Sequence, residues 1–247
     1  MCTLALAFQV FPDAPVVVAA NRDELLDRPS TPPERQDGSP AIIAPRDEEA
    51  GGTWIGYNDQ GLFAAITNRW TDTDLAGERS RGLLMLDVLR QPDVDTAAST
   101  VEAAVTRDEY EGFYLVAADA ASAVVFEWDG ELQVSSLDPG LHVVMNTGFD
   151  DRFRHPAHRP EAAKRQADSA RLVRERLGPR ADETAPDWLN RAGEVLGDHD
   201  VGVCVHGDGY GTRSSSLIAI SADGEATYRF ADGPPCRTSF ESINEQV

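Results

Sequence analysis

A cysteine at position 2, followed at once by the apolar run Thr3-Leu4-Ala5-Leu6-Ala7-Phe8, is the residue best placed for covalent chemistry in this chain. Removal of Met1 leaves Cys2 carrying a thiol and a free α-amine on the same residue. An α-amine titrates near about 7.7–8.0 and a cysteine thiol near about 8.5, so a nucleophile and a base of matched strength would share one residue. The alternative is an ordinary thiol that happens to lie beside the start of the chain. A second group, Asn21-Arg22-Asp23-Glu24, puts an amide, a guanidinium and two carboxylates in succession directly after the apolar run Val16–Ala20. Such a run also suits a solvated turn, so its meaning depends on the elements around it.

Residues 2–10 and 16–20 read as strands, and the Pro-flanked link Phe11–Pro15 as the turn between them. Both are apolar nearly throughout, as strands covered on both faces are. An antiparallel hairpin then brings residues 21–24 to the same sheet edge as Cys2. Residues 28–50 are Pro-rich and charged and read as a long loop around one short strand, Ala41–Ala44. Gly51-Gly52-Thr53-Trp54-Ile55-Gly56 reads as a glycine turn entering a strand; it lacks the spacing and following helix of a phosphate loop. A strand over 62–67 ends at Asn68. Helices are predicted over 83–89, 99–105, 161–177 and 188–196. Strands are predicted over 113–118, 123–127, 132–136, 141–145, 201–206, 214–220 and 226–230, with Asp129-Gly130 as a hairpin turn. The strand 141–145 runs into Asn146. No repeat or linker divides residues 1–247, which read as a single α+β domain.

The chain carries 42 acidic against 22 basic residues, a formal net charge of −20, and Lys164 is its one lysine. Acids spread along the whole length suit solvation at high salt, and they exclude nucleic-acid or anionic-membrane binding, which need basic patches. Three widely spaced cysteines with no C-x-x-C pair argue against a disulfide framework and for a reducing, cytoplasmic setting. No apolar run approaches the roughly 18 residues of a membrane span. The hydrophobic fraction of 41% is ample for a core. A small molecule is therefore the expected partner, and nothing in the sequence sets an oligomeric state.

Met1-Cys2-Thr3, Asn21-Arg22-Asp23-Glu24 and Gly51-Gly52-Thr53-Trp54-Ile55-Gly56 together resemble the NRDE family, relatives of the transport and Golgi organisation protein two. Thr67-Asn68 and Tyr210-Gly211-Thr212-Arg213-Ser214 extend the likeness to about residue 220. The opening is also similar to the choloylglycine hydrolases, cysteine amidases of the N-terminal-nucleophile class. That resemblance implies a four-layer αββα sandwich with Cys2 as nucleophile at the end of a central strand. It implies that Asn146, or Asn68, donates to the oxyanion, that Asp23 holds the nucleophile's amine, and that Arg213 is a site arginine. The amidases space their Arg and Asp differently, which leaves Asn21, Arg22 and Asp23 as alternatives for the group facing Cys2. Chemically, an asparagine amide stabilises an oxyanion without adding charge, and an arginine can lower a thiol pKa or grip a carboxylate. Turn formation serves equally for either asparagine, and surface ion pairing for Arg213.

The implied activity is cleavage or transfer of an acyl amide or ester. A rival reading, also carried by the resemblance, is a non-catalytic haem or lipid-metabolite carrier in which Cys2 is an axial thiolate or lines a pocket. No other cofactor is expected. Cys204 and His206 alternate along the strand predicted over 201–206, but two ligands do not make a metal site, and no metal is expected.

Overall fold

The computed structural model describes residues 2–244. The chain runs through β1 (Thr3–Phe11), β2 (Ala14–Leu25), β3 (Ser30–Gln36), β4 (Ile42–Asp47), β5 (Ile55–Asn58) and β6 (Phe63–Asn68). Two helices follow, α1 (Arg81–Leu89) and α2 (Val94–Arg107), and then β7 (Phe113–Ala118), β8 (Ala123–Trp128), β9 (Leu132–Ser136) and β10 (Gly140–Met145). After the short β11 (Gly148–Phe149) and β12 (Arg152–Phe153) come α3 (Pro160–Leu177), α4 (Ala185–Gly197), β13 (Tyr210–Ile220), β14 (Ala226–Ala231) and β15 (Glu241–Ser242). The described chain divides into two compact units.

The first unit holds residues 2–28, 139–220 and 226–243. Its antiparallel sheet has the order β12-β11-β10-β1-β2-β13-β14-β15, so the two strands of the chain's first hairpin lie at its centre. Helices α3 and α4 cover one face. Small residues on that face (Ala5, Ala7, Val17 and Ala19) meet Ala170, Val173 and Leu177 of α3 and Trp188, Ala192 and Leu196 of α4. Trp188 is fully buried, and its Nε1–H donates to the Leu177 carbonyl at 2.8 Å, locking the two helices together. A reciprocal Thr184–Asp187 capping box starts α4 and satisfies N–H groups that its first turn would leave bare.

The second unit, residues 29–138 with 221–225, carries a seven-stranded antiparallel meander, β3 through β9 in chain order. Helices α1 and α2 bury Leu84, Met85, Val88, Val101 and Ala104 against Ala64, Leu115, Ala117 and Phe126 of that sheet. The Gly51-Gly52 pair has a packing explanation here. Gly51 takes φ +71°, and a Cβ on Gly52 would fall within 2.2 Å of the Gly82 backbone in the first turn of α1. The N–H of Thr53 donates to the Gly82 carbonyl at 3.1 Å, so bare backbone is what lets the turn reach the helix.

The α+β class stands; besides the short unexpected strands β11, β12 and β15 and the earlier start of β13, three stretches differ from the sequence expectation. Strand β2 continues through Asn21–Leu25 rather than ending before it, because its polar residues pair with β13 from Tyr210 to Ser215. Residues 30–36, expected to be loop, form β3. As an edge strand with a register shift between Thr31 and Glu34, it accommodates Pro32 and Pro33, which cannot donate to a ladder. Residues 201–206 form no strand. The Val203 carbonyl accepts from the Asn21 side chain and the Val205 N–H donates to Thr212 Oγ1, so backbone pairing with β13 is reduced to the Thr212 N–H on the Val205 carbonyl at 2.9 Å and an isolated His206–Gly211 bridge.

Candidate functional site

Register alone assembles the site. Thr3 pairs with Met145 on one side and with Asn21 on the other, so one step back along β1 sets Cys2 across from Asn146 and Arg22. The Cys2 nitrogen donates to Asn146 Oδ1 at 2.9 Å, and the thiol lies 3.6 Å from the Asp23 carbonyl oxygen in donor geometry. Asn146 is nearly fully buried, as are Arg22 and Asp23, whereas Cys2 is half-buried.

Each of these groups is held in place. Gln166, fully buried on α3, donates to Asn146 Oδ1 at 3.1 Å and accepts from Thr147 Oγ1 at 3.0 Å. Thr212 Oγ1 donates to Asp23 Oδ1 at 2.6 Å, and the Tyr210 hydroxyl donates to the Asp23 carbonyl at 3.1 Å. Burial pushes the Asp23 carboxyl above its ordinary pKa, with the Thr212 hydrogen bond and nearby His206 pulling the other way. Burial likewise raises the Tyr210 phenol, with Cys2 and Asp23 adding to the effect. The Asn21 side chain bonds away from Cys2. Its amide donates to the Leu196 carbonyl at 3.0 Å and the Val203 carbonyl at 2.8 Å, while Ser215 donates to its oxygen. Arg22 lies 4.0 Å from Glu24 on the same strand. Arg213 occupies the bulge of β13 between the Thr212–Asp23 and Ser214–Arg22 pairs, and its buried Nε has no hydrogen-bond partner. Asn68 closes β6 in the second unit with its side chain exposed.

The sequence reading did not single out Gln166, Thr212 and Tyr210 as individual candidates, and the structure places them on Asn146 and Asp23. Gln166 left a signal: it interrupts the buried stripe Ala163, Ala170, Val173, Leu177 at helical spacing, and a buried amide there needs partners. Thr212 left none, because only the β2–β13 register sets it opposite Asp23. A further group, His199, Cys204, His206 and Cys236, brings its ligating atoms within 4.8 Å of one another, adding two residues to the Cys204–His206 pair.

The model of the Transport and Golgi organisation 2 family matches residues 1–229. The chain belongs to that family. Among its members, the human Transport and Golgi organization protein 2 homolog is 29% identical over 234 residues, covering 86% of this chain and 84% of the human one. The Mus musculus homolog is 26% identical with the same coverage. Solved structures of similar fold include the C2A mutant of a conjugated bile acid hydrolase from Clostridium perfringens, with a TM-score of 0.61 at 11% identity over 100% of this chain and 94% of that one. Penicillin V acylase from Agrobacterium tumefaciens has a TM-score of 0.55 at 14% identity, covering 99% and 87%. A Caenorhabditis elegans N-acylethanolamine-hydrolyzing acid amidase ortholog has 0.56 at 14%, covering 90% and 93%. This family member therefore has the N-terminal-nucleophile hydrolase fold. No helix among the described residues is long and apolar enough to cross a membrane.

Proposed function

We propose that this chain is a cysteine N-terminal-nucleophile hydrolase or acyltransferase for an amide or ester bond of a small molecule, with Cys2 as nucleophile once Met1 is removed. The observation that carries the reading is the Cys2 nitrogen on Asn146 Oδ1 at 2.9 Å, beside a thiol aimed at the Asp23 carbonyl. On this reading, removal of Met1 would leave nucleophile and base together at the end of a central strand. In the proposed reaction the thiol gives its proton to the α-amine, and the sulfur bonds to the acyl carbon while the carbonyl electron pair moves to oxygen. The Nδ2 group of Asn146 donates to that oxyanion. Collapse expels the amine or alcohol, which takes the proton from the ammonium, and leaves a Cys2 thioester. Water, or an acceptor in the transferase case, then attacks the thioester and returns the proton to sulfur.

Asp23 serves the amine and Gln166 is a positioning residue for Asn146. Arg213, with its bare Nε, is the group for an anionic substituent of the substrate. Tyr210, Leu25 and Leu26 are exposed to 37%, 50% and 47% where β2 ends and β13 begins, and they offer apolar surface to an acyl chain. The cytoplasmic expectation suits this chemistry, since a reducing compartment preserves a free thiol. The hydrogen-bonding side chains immediately around Cys2 disfavour the rival reading, in which Cys2 is an axial thiolate to haem.

The test is intact-mass spectrometry of the purified protein with a panel of N-acyl amines, N-acyl amino acids and acyl esters. The expected result is a chain lacking Met1, a transient acyl adduct on Cys2, and product release abolished in Cys2→Ala. A chain that retains Met1, or turnover that survives Cys2→Ala, overturns the proposal.

A further inference from the structure

Three side chains from one short stretch and a fourth from 30 residues further on converge at the end of α4. His199 lies just past its C-cap, Cys204 and His206 follow in the segment before β13, and Cys236 comes from the turn after β14. The Nε2 atom of His206 is 3.6 Å from Cys204 Sγ and 3.2 Å from Cys236 Sγ, and the rings of His199 and His206 meet edge to face at 5.2 Å. A tetrahedral zinc site with bonds of about 2.3 Å to sulfur and about 2.0–2.1 Å to nitrogen has ligand–ligand edges of roughly 3.3–3.8 Å. One edge of this cluster, 3.6 Å, already fits, a second is just short of the range at 3.2 Å, and every pair lies within 4.8 Å, so shifts of up to about 1 Å complete the figure.

The backbone is built for this convergence. A Cβ at Gly197 would lie 3.2 Å from the Cys236 nitrogen, so glycine at the end of α4 lets the Cys236 turn approach closely. That turn is held by hydrogen bonds from the Arg237 and Thr238 N–H groups to the Pro234 carbonyl. Cys204 is buried, while His199 and His206 are exposed and leave an entry path.

We propose that His199, Cys204, His206 and Cys236 form a four-coordinate site for a thiophilic divalent cation, zinc foremost. Two thiolates and two imidazoles select zinc over magnesium or calcium, which prefer oxygen. Two thiol protons leave to solvent as the metal enters, and Zn2+ with two thiolates is neutral overall, so no net charge is added near Asp23. Four protein ligands close the coordination sphere, which makes the site structural rather than catalytic. Its consequence lies in the segment it clamps: Val203 accepts from Asn21 and Val205 donates to Thr212, the partner of Asp23. The metal would staple the wall behind the Cys2 site.

The full-length protein, purified under reducing conditions and stripped with chelator, is titrated with Co2+ alone. One cobalt per chain, with thiolate-to-cobalt charge-transfer bands and the strong visible bands of tetrahedral cobalt, is the expected result. Zinc should displace it and raise Tm. Cys236→Ser and His199→Ala lie outside the helices and strands, circular dichroism checks that each variant is folded, and each should lose or shift those bands. Weak octahedral bands, spectra indifferent to Cys236→Ser, or a Cys204–Cys236 disulfide that forms in excess zinc and excludes it would overturn the proposal.

Discussion

Thr212 holds Asp23 through a relay: its hydroxyl donates to the carboxylate at 2.6 Å and accepts from the Val205 N–H at 2.9 Å. The carboxylate nevertheless titrates above its ordinary value, because burial penalises its charge more than these contacts relieve. A raised folded-state pKa means that the folded chain binds the proton more tightly than the unfolded chain. Stability tied to Asp23 is therefore fully present below the unfolded value of about 3.9 and is lost as pH rises through the folded value. Asp23→Asn keeps the acceptor for Thr212 and removes the buried charge. It should raise Tm at neutral pH, with the gain shrinking to nothing on acidification toward about pH 4. Calorimetry across that range checks it; a variant less stable than wild type at every pH contradicts it.

Asp150 is the opposite case. Burial alone would raise its carboxyl, but the His142 Nδ1 contact at 2.8 Å, the Val143 N–H and Arg174 outweigh it and hold the pKa below its ordinary value. Its contribution is present above about pH 4, the unfolded value, and is lost as pH falls through the folded value. Asp150 has φ +53°, a conformation asparagine tolerates, so Asp150→Asn isolates the charge. The variant should be less stable at neutral pH and converge on wild type in acid, as read by urea midpoints at several pH values.

Asn21 is a structural tie. Replacing it with alanine strands the buried carbonyls of Leu196 and Val203 and the hydroxyl of Ser215. Unmade buried hydrogen bonds cost about 1–3 kcal/mol each, so Asn21→Ala should lose at least about 2 kcal/mol in denaturant titration. Asn21→Asp should be no better, since a carboxylate cannot donate to two carbonyls. A loss of activity at unchanged stability would contradict the assignment.

Gly52→Ala tests the second unit. The added Cβ meets Gly82 backbone rather than a movable side chain, so the turn or α1 has to shift. Overpacking of this kind costs about 1–3 kcal/mol, and the loss should show in thermal unfolding. Gly51→Ala should also destabilise, through its left-handed φ rather than through a clash.

Much of the architecture was legible because periodicity and turn chemistry are local. The apolar hairpin at the start, the helix over 161–177 and the strands 113–136 are written in short-range pattern, and they stand as read. Prolines misled the reading at β3, where an edge position removes the penalty that makes proline a strand breaker in a sheet's interior. The segment 201–206 misled it the other way. Its alternating apolar residues suit a strand, but the side chains of Asn21 and Thr212 take part of its backbone and its pairing with β13 shrinks to an isolated bridge at His206–Gly211.

By itself the sequence determined that Cys2 opens an apolar strand, and that the hairpin returns Asn21–Glu24 to the same edge, because antiparallel register follows from a short turn. What holds each of those side chains was decided only by tertiary structure. Asn21 is committed to two distant carbonyls, Asp23 is caught by a threonine 189 positions away, and Asn146 is steadied by a glutamine from α3. Likewise Cys236 reaches Cys204 and His206, a pair already close in sequence, only in the folded chain. Hydrogen bonds depend on distance in space, and these partners become neighbours only after the helices pack and β13 pairs with β2.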